Sequence, residues 1–503
     1  MICVNRLLAS ATAAALACAA TAEVRLGAPF ADGMVLQRGM EAPVWGVADP
    51  GESVSVTFAG VTVGATADEK GRFMARLPKM EACGEGRELV VTGSSTVKVA
   101  DVLVGEVWFC CGQSNTELPL VGGNPHFSDR QGRLVAQMTR KPLVRFVYAS
   151  DYKFSVEPKT MADYHVAWKT FTPQNLGAAP SFSAIGVYFA LELASAFPDL
   201  PIGIVGSYWG GTNIDAWTPR SGYEGKDSLK EVAAWQVVDG KVWTNYMKHG
   251  PVVAVHQQPT VLWNEMVAPW CPMAMRGFIW YQGCHNREEP ELYCDKMHAL
   301  YDGWSKEFAN PDLKLYFVQL APWQLPFWGI QLAQSKFAKE ERNAALVTTC
   351  DIGNGADIHP NEKGTIGKRL AALALKYDYG FKDLVADAPT LKGICAEEGR
   401  LALRFDNADG WYFYDPAWGV DYGFEIAGAD GKWRPAVVVN ANNGRTESAG
   451  WKTNGVVDGR DLILAADGVE KPVKVRYLYQ KPWVGGLFST SGLPLGPFEA
   501  EVK

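Results

Sequence analysis

Four short segments hold residues that could carry acyl-transfer chemistry. In Gly112-Gln113-Ser114-Asn115, a serine sits on a tight turn after an apolar run, exposed and close to main-chain amides, as a nucleophile needs. The same serine also suits a plain helix cap, and the segment alone leaves the two readings even. In Trp209-Gly210-Gly211-Thr212, two glycines let the backbone approach a ligand and aim N–H groups at a developing oxyanion. Two glycines in isolation are more often only a turn. Gln282 and Asn286, in the stretch 280–286, offer amide donors, although without company that stretch reads as a polar loop and His285 as one of its ordinary members. In Asp357-Ile358-His359-Pro360, a carboxylate beside a histidine can fix its tautomer and make it a general base.

These segments matter because of what precedes them. Val102 to Cys111, Ile202 to Val205, Gly277 to Trp280 and Ala345 to Thr348 are short apolar runs of the kind that form buried parallel strands, and Leu315 to Leu320 is a fifth. Ile185, Tyr188, Phe189 and Leu193 recur at helical spacing between them, as do Met297, Leu300 and Trp304. Alternating strands and helices predict a three-layer α/β/α domain over residues 105–382, with an insertion at about 221–259. Such a sheet binds ligands at the carboxyl ends of its strands. Residues 23–104 and 383–503 instead show closely spaced alternating strands with Gly, Asn and Asp turns, as at Val54, Val56 and Phe58 or Leu401, Leu403 and Phe405. Each reads as a β-sandwich flanking the α/β domain.

With 503 residues, 48% hydrophobic and 20% charged, the chain is a folded protein of several domains rather than a disordered one. A net charge of -7 without a basic stripe argues against a nucleic-acid partner. Residues 1–22 read as a signal peptide: Arg6, an apolar stretch from Leu7 to Ala19, then Ala20-Thr21-Ala22. No later stretch reaches the roughly 20 apolar residues of a membrane span. The expected location is periplasmic or extracellular, with lipidation at Cys18 a minor alternative because Ala15 stands where a branched aliphatic is usual. Of the ten cysteines, Cys3 and Cys18 leave with the signal, and Cys271, Cys284 and Cys294 are the best candidates for a local disulfide. Metal ligation is disfavoured by the absence of C-x2-C and His-x3-His pairs, and no cofactor is expected.

The four segments occur in the order Ser, Gly, Asn, Asp with His. That order resembles the SGNH hydrolase superfamily, and the strings 105–115, 207–217, 279–286 and 351–370 are similar to the sialate O-acetylesterase family. The resemblance implies Ser114 as nucleophile and His359 as general base. The oxyanion hole it implies is made by the Ser114 amide, Gly210 or Gly211, and Asn286. Asp357 would be the third member, but it stands two residues before His359 where the superfamily usually has three. A Ser–His dyad steadied by a carbonyl is therefore an alternative. Many relatives have Glu in place of Cys284, and a disulfide there would stiffen the loop presenting Asn286.

The expected substrate is an O-acetylated sialic acid, with acetylated xylan as the runner-up. An arginine at the site mouth, Arg220 or Arg276, would favour a sialate carboxylate. Two other classes are weaker. A glycosidase would need Glu288, Glu289 or Glu291 as a catalytic pair, whereas clustered loop carboxylates usually form a solvated face. A purely carbohydrate-binding protein would have no reason to keep Ser114, Asn286 and His359 together. Oligomeric state is not readable from the sequence.

Overall fold

The computed structural model of the chain describes residues 23–120, 143–149, 152–161, 166–172, 182–234, 255–353, 355–414, 423–441, 446–448, 451–479 and 486–502. The expected signal peptide lies outside the described residues, as does the middle of the expected insertion, 235–254.

The structure is mixed α/β with several sheets. The central strands lie in the order Lys169–Thr170, Val144–Tyr148, Ile202–Tyr208, Thr96–Gly112, Gly277–Tyr281, Lys314–Val318 and Ala344–Val347. All neighbours are parallel except the two-residue Lys169–Thr170 edge. Every residue of Ile202–Tyr208 and Gly277–Tyr281 is buried, which is why these strands read as unbroken apolar runs instead of alternating. The helix Ala184–Ala196 packs on Lys363–Tyr377 so closely that a Cβ on Gly367 would come within 2.5 Å of Tyr188 Cβ. Pro290–Glu307 packs on Trp328–Glu340.

The strand Thr96–Gly112 links two regions that the sequence separates at 104/105. Its first part pairs antiparallel with Cys83–Thr92, and its second part pairs parallel with Ile202–Tyr208 and Gly277–Tyr281. The expected boundary therefore falls inside one 17-residue strand. The apolar run beginning at Val102 marks where both faces become covered, not where a strand starts. Glu106 is buried within it, its charge met by Arg38 and by Arg276 at 3.1 Å. Those hydrogen bonds hold its carboxyl below the usual range, even though burial alone would raise it.

In the N-terminal region, Ser53–Phe58 buries Val54, Val56 and Phe58 on one face, as its alternation predicts. Beyond residue 389 a seven-stranded antiparallel sheet, from Thr390–Glu397 to Phe498–Glu501, accompanies a four-stranded one that contains Gly410–Tyr414. Leu401, Phe405, Trp411, Phe424 and Tyr477 share their core.

The disulfide expected among Cys271, Cys284 and Cys294 is not formed; all three are free thiols. Cys271 and Cys284 bracket the strand Gly277–Tyr281, whose five residues hold its ends roughly 13 Å apart. Cys294 instead faces Glu340 across a helix pair, at 3.4 Å.

Candidate active site

Three strand ends converge in register: Gly112 pairs with Tyr208 on one side and Tyr281 on the other. The segments that follow them therefore leave the sheet side by side. Gly112 has φ +139, and a Cβ there would lie 2.4 Å from the Tyr281 carbonyl oxygen, so only glycine fits the turn. Gln113 then ties the turn to the neighbouring loop. Its amide donates to Tyr281 O at 3.1 Å, and its Oε1 accepts from the Gly283 N–H at 3.2 Å. Ser114 opens the short helix Ser114–Glu117, and the capping position belongs to Gln113.

The Ser114 hydroxyl instead meets His359, whose Nε2 lies 2.9 Å from Oγ. Asp357 reaches this histidine in spite of the short spacing. Its Oδ1 accepts the His359 main-chain N–H at 2.9 Å, and the same oxygen lies 3.4 Å from Nδ1. The imidazole is half-buried, and burial is the main reason that its pKa is lowered. The neighbouring Lys363 lowers it further, against the opposing pull of Asp357. A neutral imidazole that accepts at Nε2 carries its proton on Nδ1, the nitrogen that faces Asp357.

A second contact holds the Ser114 and His359 segments together from below. Asn115 Nδ2 donates to Ile358 O at 3.1 Å, and Asn115 Oδ1 accepts from Lys363 Nζ. Lys363 is buried beneath the site, and its Nζ lies 5.7 Å from the centre of the Tyr281 ring. Burial brings its pKa down to about 7.

Gly210 lies against Ser114: a Cβ there would stand 3.3 Å from Ser114 Cβ and 3.0 Å from Glu117 Oε2. Among the described residues, the N–H groups of Ser114, Gly210 and Gly211 have no backbone acceptor. Gly211 has φ +71 and open space where a side chain would be. Asn286 is buried, with Oδ1 accepting from the Ile214 N–H at 3.0 Å and from Gln282 Nε2 at 2.8 Å. Those two donors orient the amide. Its Nδ2 reaches Glu289 Oε2 only at 3.5 Å and keeps a second hydrogen.

Several residues at the site were given no role by the sequence, Trp209 included although it heads the Trp209-Gly210-Gly211-Thr212 segment. Trp209 stacks on His256 at 4.6 Å, Tyr152 meets the Trp209 ring edge-on at 5.3 Å, and the Tyr152 hydroxyl donates to Glu117. Together they wall the side of the site next to Gly210. Beneath it, buried Lys296 joins Asp215 at 2.9 Å and Glu289 at 2.6 Å, pinning the loops that carry Gly211 and Asn286. Glu289 is thus tied down by a buried cation, whereas Glu288 and Glu291 are exposed as expected. Neither Arg220 nor Arg276, the two arginines near the motifs that the sequence could not place, stands beside Ser114 and His359. Arg276 pairs with Glu106, six residues and about 20 Å back along the strand from Gly112. Arg220 lines a cavity of about 730 Å³ with Trp45, Arg72 and Trp263, and neither Ser114 nor His359 borders it.

Residues 104–376 match the profile of a family described as "Carbohydrate esterase, sialic acid-specific acetylesterase". The human sialate O-acetylesterase is 26% identical over 431 residues, covering 74% of this chain and 75% of its own. The mouse enzyme is 27% identical over 432 residues, covering 74% and 77%. The crystal structure of a carbohydrate acetylesterase from Xanthomonas citri superimposes with a TM-score of 0.78 at 30% identity, covering 95% of this chain and 99% of that one.

Proposed function

From the premise that this chain belongs to the sialic acid-specific acetylesterase family of carbohydrate esterases, and is a carboxylic ester hydrolase, we propose that it removes O-acetyl groups from sialic acids through an acetyl-Ser114 intermediate. The observation that carries the mechanism is the 2.9 Å contact between Ser114 Oγ and His359 Nε2.

His359 takes the Ser114 hydroxyl proton as Oγ attacks the acetyl carbonyl carbon. The negative charge that develops on the carbonyl oxygen is met by the N–H groups of Ser114 and Gly210 or Gly211 and by the spare hydrogen of Asn286 Nδ2. Each such donor contributes ~2.7–4 kcal/mol in the transition state. Asp357 stabilises the imidazolium that forms. His359 then passes its proton to the departing sugar oxygen. In the second half, His359 deprotonates a water that attacks the acetyl-Ser114 carbonyl, and acetate leaves as the Ser114 hydroxyl is restored.

The organisation that goes with this reading is an SGNH-type α/β/α catalytic layer set, between β-sandwiches, in a protein exported past the inner membrane. Among the described residues no helix is long and apolar enough to cross a membrane.

The test is acetate release from O-acetylated sialic acid and from acetylated xylan, for the natural chain and Ser114→Ala in parallel. Turnover of sialate, falling at least about 10⁴-fold in the variant, is the expected result. Turnover of xylan alone leaves the mechanism and removes the substrate assignment. Activity retained in Ser114→Ala removes the nucleophile assignment.

A further inference from the structure

We propose that Cys294, His298 and Glu340 form a site for a zinc-class divalent cation that clips the helix Pro290–Glu307 to the helix Trp328–Glu340. Cys294 and His298 are four residues apart and so share one helix face. Glu340 is the last residue of the facing helix. Cys294 Sγ lies 3.4 Å from Glu340 Oε2, and His298 Nε2 lies 3.1 Å from that same oxygen. All three donor atoms are within 4.8 Å of one another. A tetrahedral ion with ligand bonds of about 2.0–2.3 Å holds its ligands roughly 3.3–3.8 Å apart, so the side chains need only small shifts to admit one.

The chemistry of the set selects the metal. A thiolate, an imidazole and one carboxylate suit zinc and its late first-row neighbours, whereas magnesium and calcium require oxygen donors. The Phe337 ring lies edge-on to the His298 imidazole, with centroids 4.7 Å apart, and fixes the ring while Nε2 faces Glu340. Cys294 is buried and Glu340 is exposed, so the ion enters from solvent on the Glu340 side and keeps a water as fourth ligand. Lys336 Nζ, 3.8 Å from Glu340 Oε1, is on the other carboxylate oxygen. When the ion binds, the Cys294 S–H bond breaks, its proton goes to solvent and the sulfur–metal bond forms, with no change of oxidation state.

Linear spacing does not reveal this site, because C-x3-H supplies only two ligands and the third comes from another helix. Its role is structural. Lys296, which anchors the active-site loops, is two residues from each of the paired ligands and so on the opposite face of the helix.

The experiment is a Co²⁺ titration of the untagged, reduced full-length chain, read in the near-ultraviolet and visible and reversed by Zn²⁺. The variants are Cys294→Ser, His298→Ala and Glu340→Gln, each checked for folding by its acetate release. One equivalent of Co²⁺ should give a thiolate charge-transfer band. That band should vanish in Cys294→Ser, and affinity should fall at least ~100-fold in His298→Ala. Zn²⁺ should raise the unfolding temperature of the natural chain by at least about 2 °C, and that of Cys294→Ser by less. Absence of the band in the natural chain overturns the proposal. So does a band that survives in Cys294→Ser, which would place the metal on another thiol such as exposed Cys395.

Discussion

Asn115, the residue after Ser114, donates its side-chain amide at 3.1 Å to the carbonyl of Ile358, the residue before His359. The Ser114–His359 contact therefore has a parallel one a single residue away, and Lys363 locks it from the other side by donating to Asn115 Oδ1. Both Asn115 and Lys363 are buried. A buried polar pair of this kind is costly when half broken, because the partner left behind has no water to turn to.

Asn115→Ala leaves the Ile358 carbonyl and the Lys363 ammonium without that partner. Stability should fall by about 1–3 kcal/mol, measured by denaturant unfolding. The value of kcat should fall on the order of 100-fold while KM changes little, because the loss is one of alignment between Ser114 and His359. A kcat within twofold of the natural chain would show that the His359 loop holds its place without Asn115.

The pH profile carries the next expectation. In the proposed mechanism His359 must be neutral to take the Ser114 proton, and its pKa is lowered first by burial and then by Lys363. The acid limb of kcat/KM should therefore lie below pH 6.5, the ordinary histidine value. Lys363 titrates at about 7, so it is still mostly charged where His359 titrates. Lys363→Met removes that charge and should move the limb upward. A limb that stays in place would mean that the Lys363 charge does not act on His359 and that burial, against Asp357, sets its pKa.

Lys363 also gives stability a pH dependence whose sign is fixed. Its folded pKa of about 7 lies below the unfolded value of 10.5, so between those pH values the unfolded chain binds more protons. Stability from this group is fully present above 10.5 and is lost as pH falls toward 7. Denaturant midpoints of the natural chain, compared with Lys363→Met across that range, should show the slope in the former and its loss in the latter.

The convergence of the candidate residues was legible in the sequence because each follows an apolar strand and strand ends share one edge of a parallel sheet. Ser114, Gly210 and His359 come together for that reason. The two-residue spacing of Asp357 did not show that the aspartate comes near His359, because spacing counts residues, whereas the carboxylate turns back onto the His359 main-chain N–H and lies 3.4 Å from Nδ1. Arg276 looked close to the site because Gly277–Tyr281 leads to Asn286, yet it stands at the other end of that strand. Cys271 was misjudged as a partner for Cys284 in the same way. Lys363, Lys296 and Trp209 were given no role, because a buried lysine or a half-buried tryptophan acquires its role from partners distant in the chain. The continuous strand Thr96–Gly112 was hidden by its own change of texture, from alternating to fully apolar.

Gly210→Ala tests the donor wall. The new methyl would stand 3.3 Å from Ser114 Cβ and 3.0 Å from Glu117 Oε2, tight enough to push the Gly210 loop away from the nucleophile. Losing the alignment of one oxyanion donor should lower kcat about 10²–10³-fold. The position is only partly buried, so stability should change by no more than about 1 kcal/mol. Equal losses in kcat and stability would point to general disruption of the loop instead.

Asp357→Asn separates a triad from a dyad. The substituted side chain keeps an oxygen that can accept the His359 main-chain N–H, so the loop should hold and the unfolding midpoint should barely move. What disappears is the negative charge 3.4 Å from Nδ1, the one influence that raises the His359 pKa against burial and Lys363. The imidazolium formed during attack then lacks its counter-charge, and the tautomer with the proton on Nδ1 is no longer favoured. In a triad, kcat should fall about 10²–10⁴-fold with the Ser114–His359 geometry intact. The contact is longer than an ideal hydrogen bond, which places the expected loss toward the lower end of that range. A loss smaller than about tenfold would mean that Asp357 serves the loop alone and that Ser114 and His359 work as a pair. The pH profile of the variant distinguishes the cases again: a working triad member should, on losing its charge, shift the acid limb still further below its position in the natural chain.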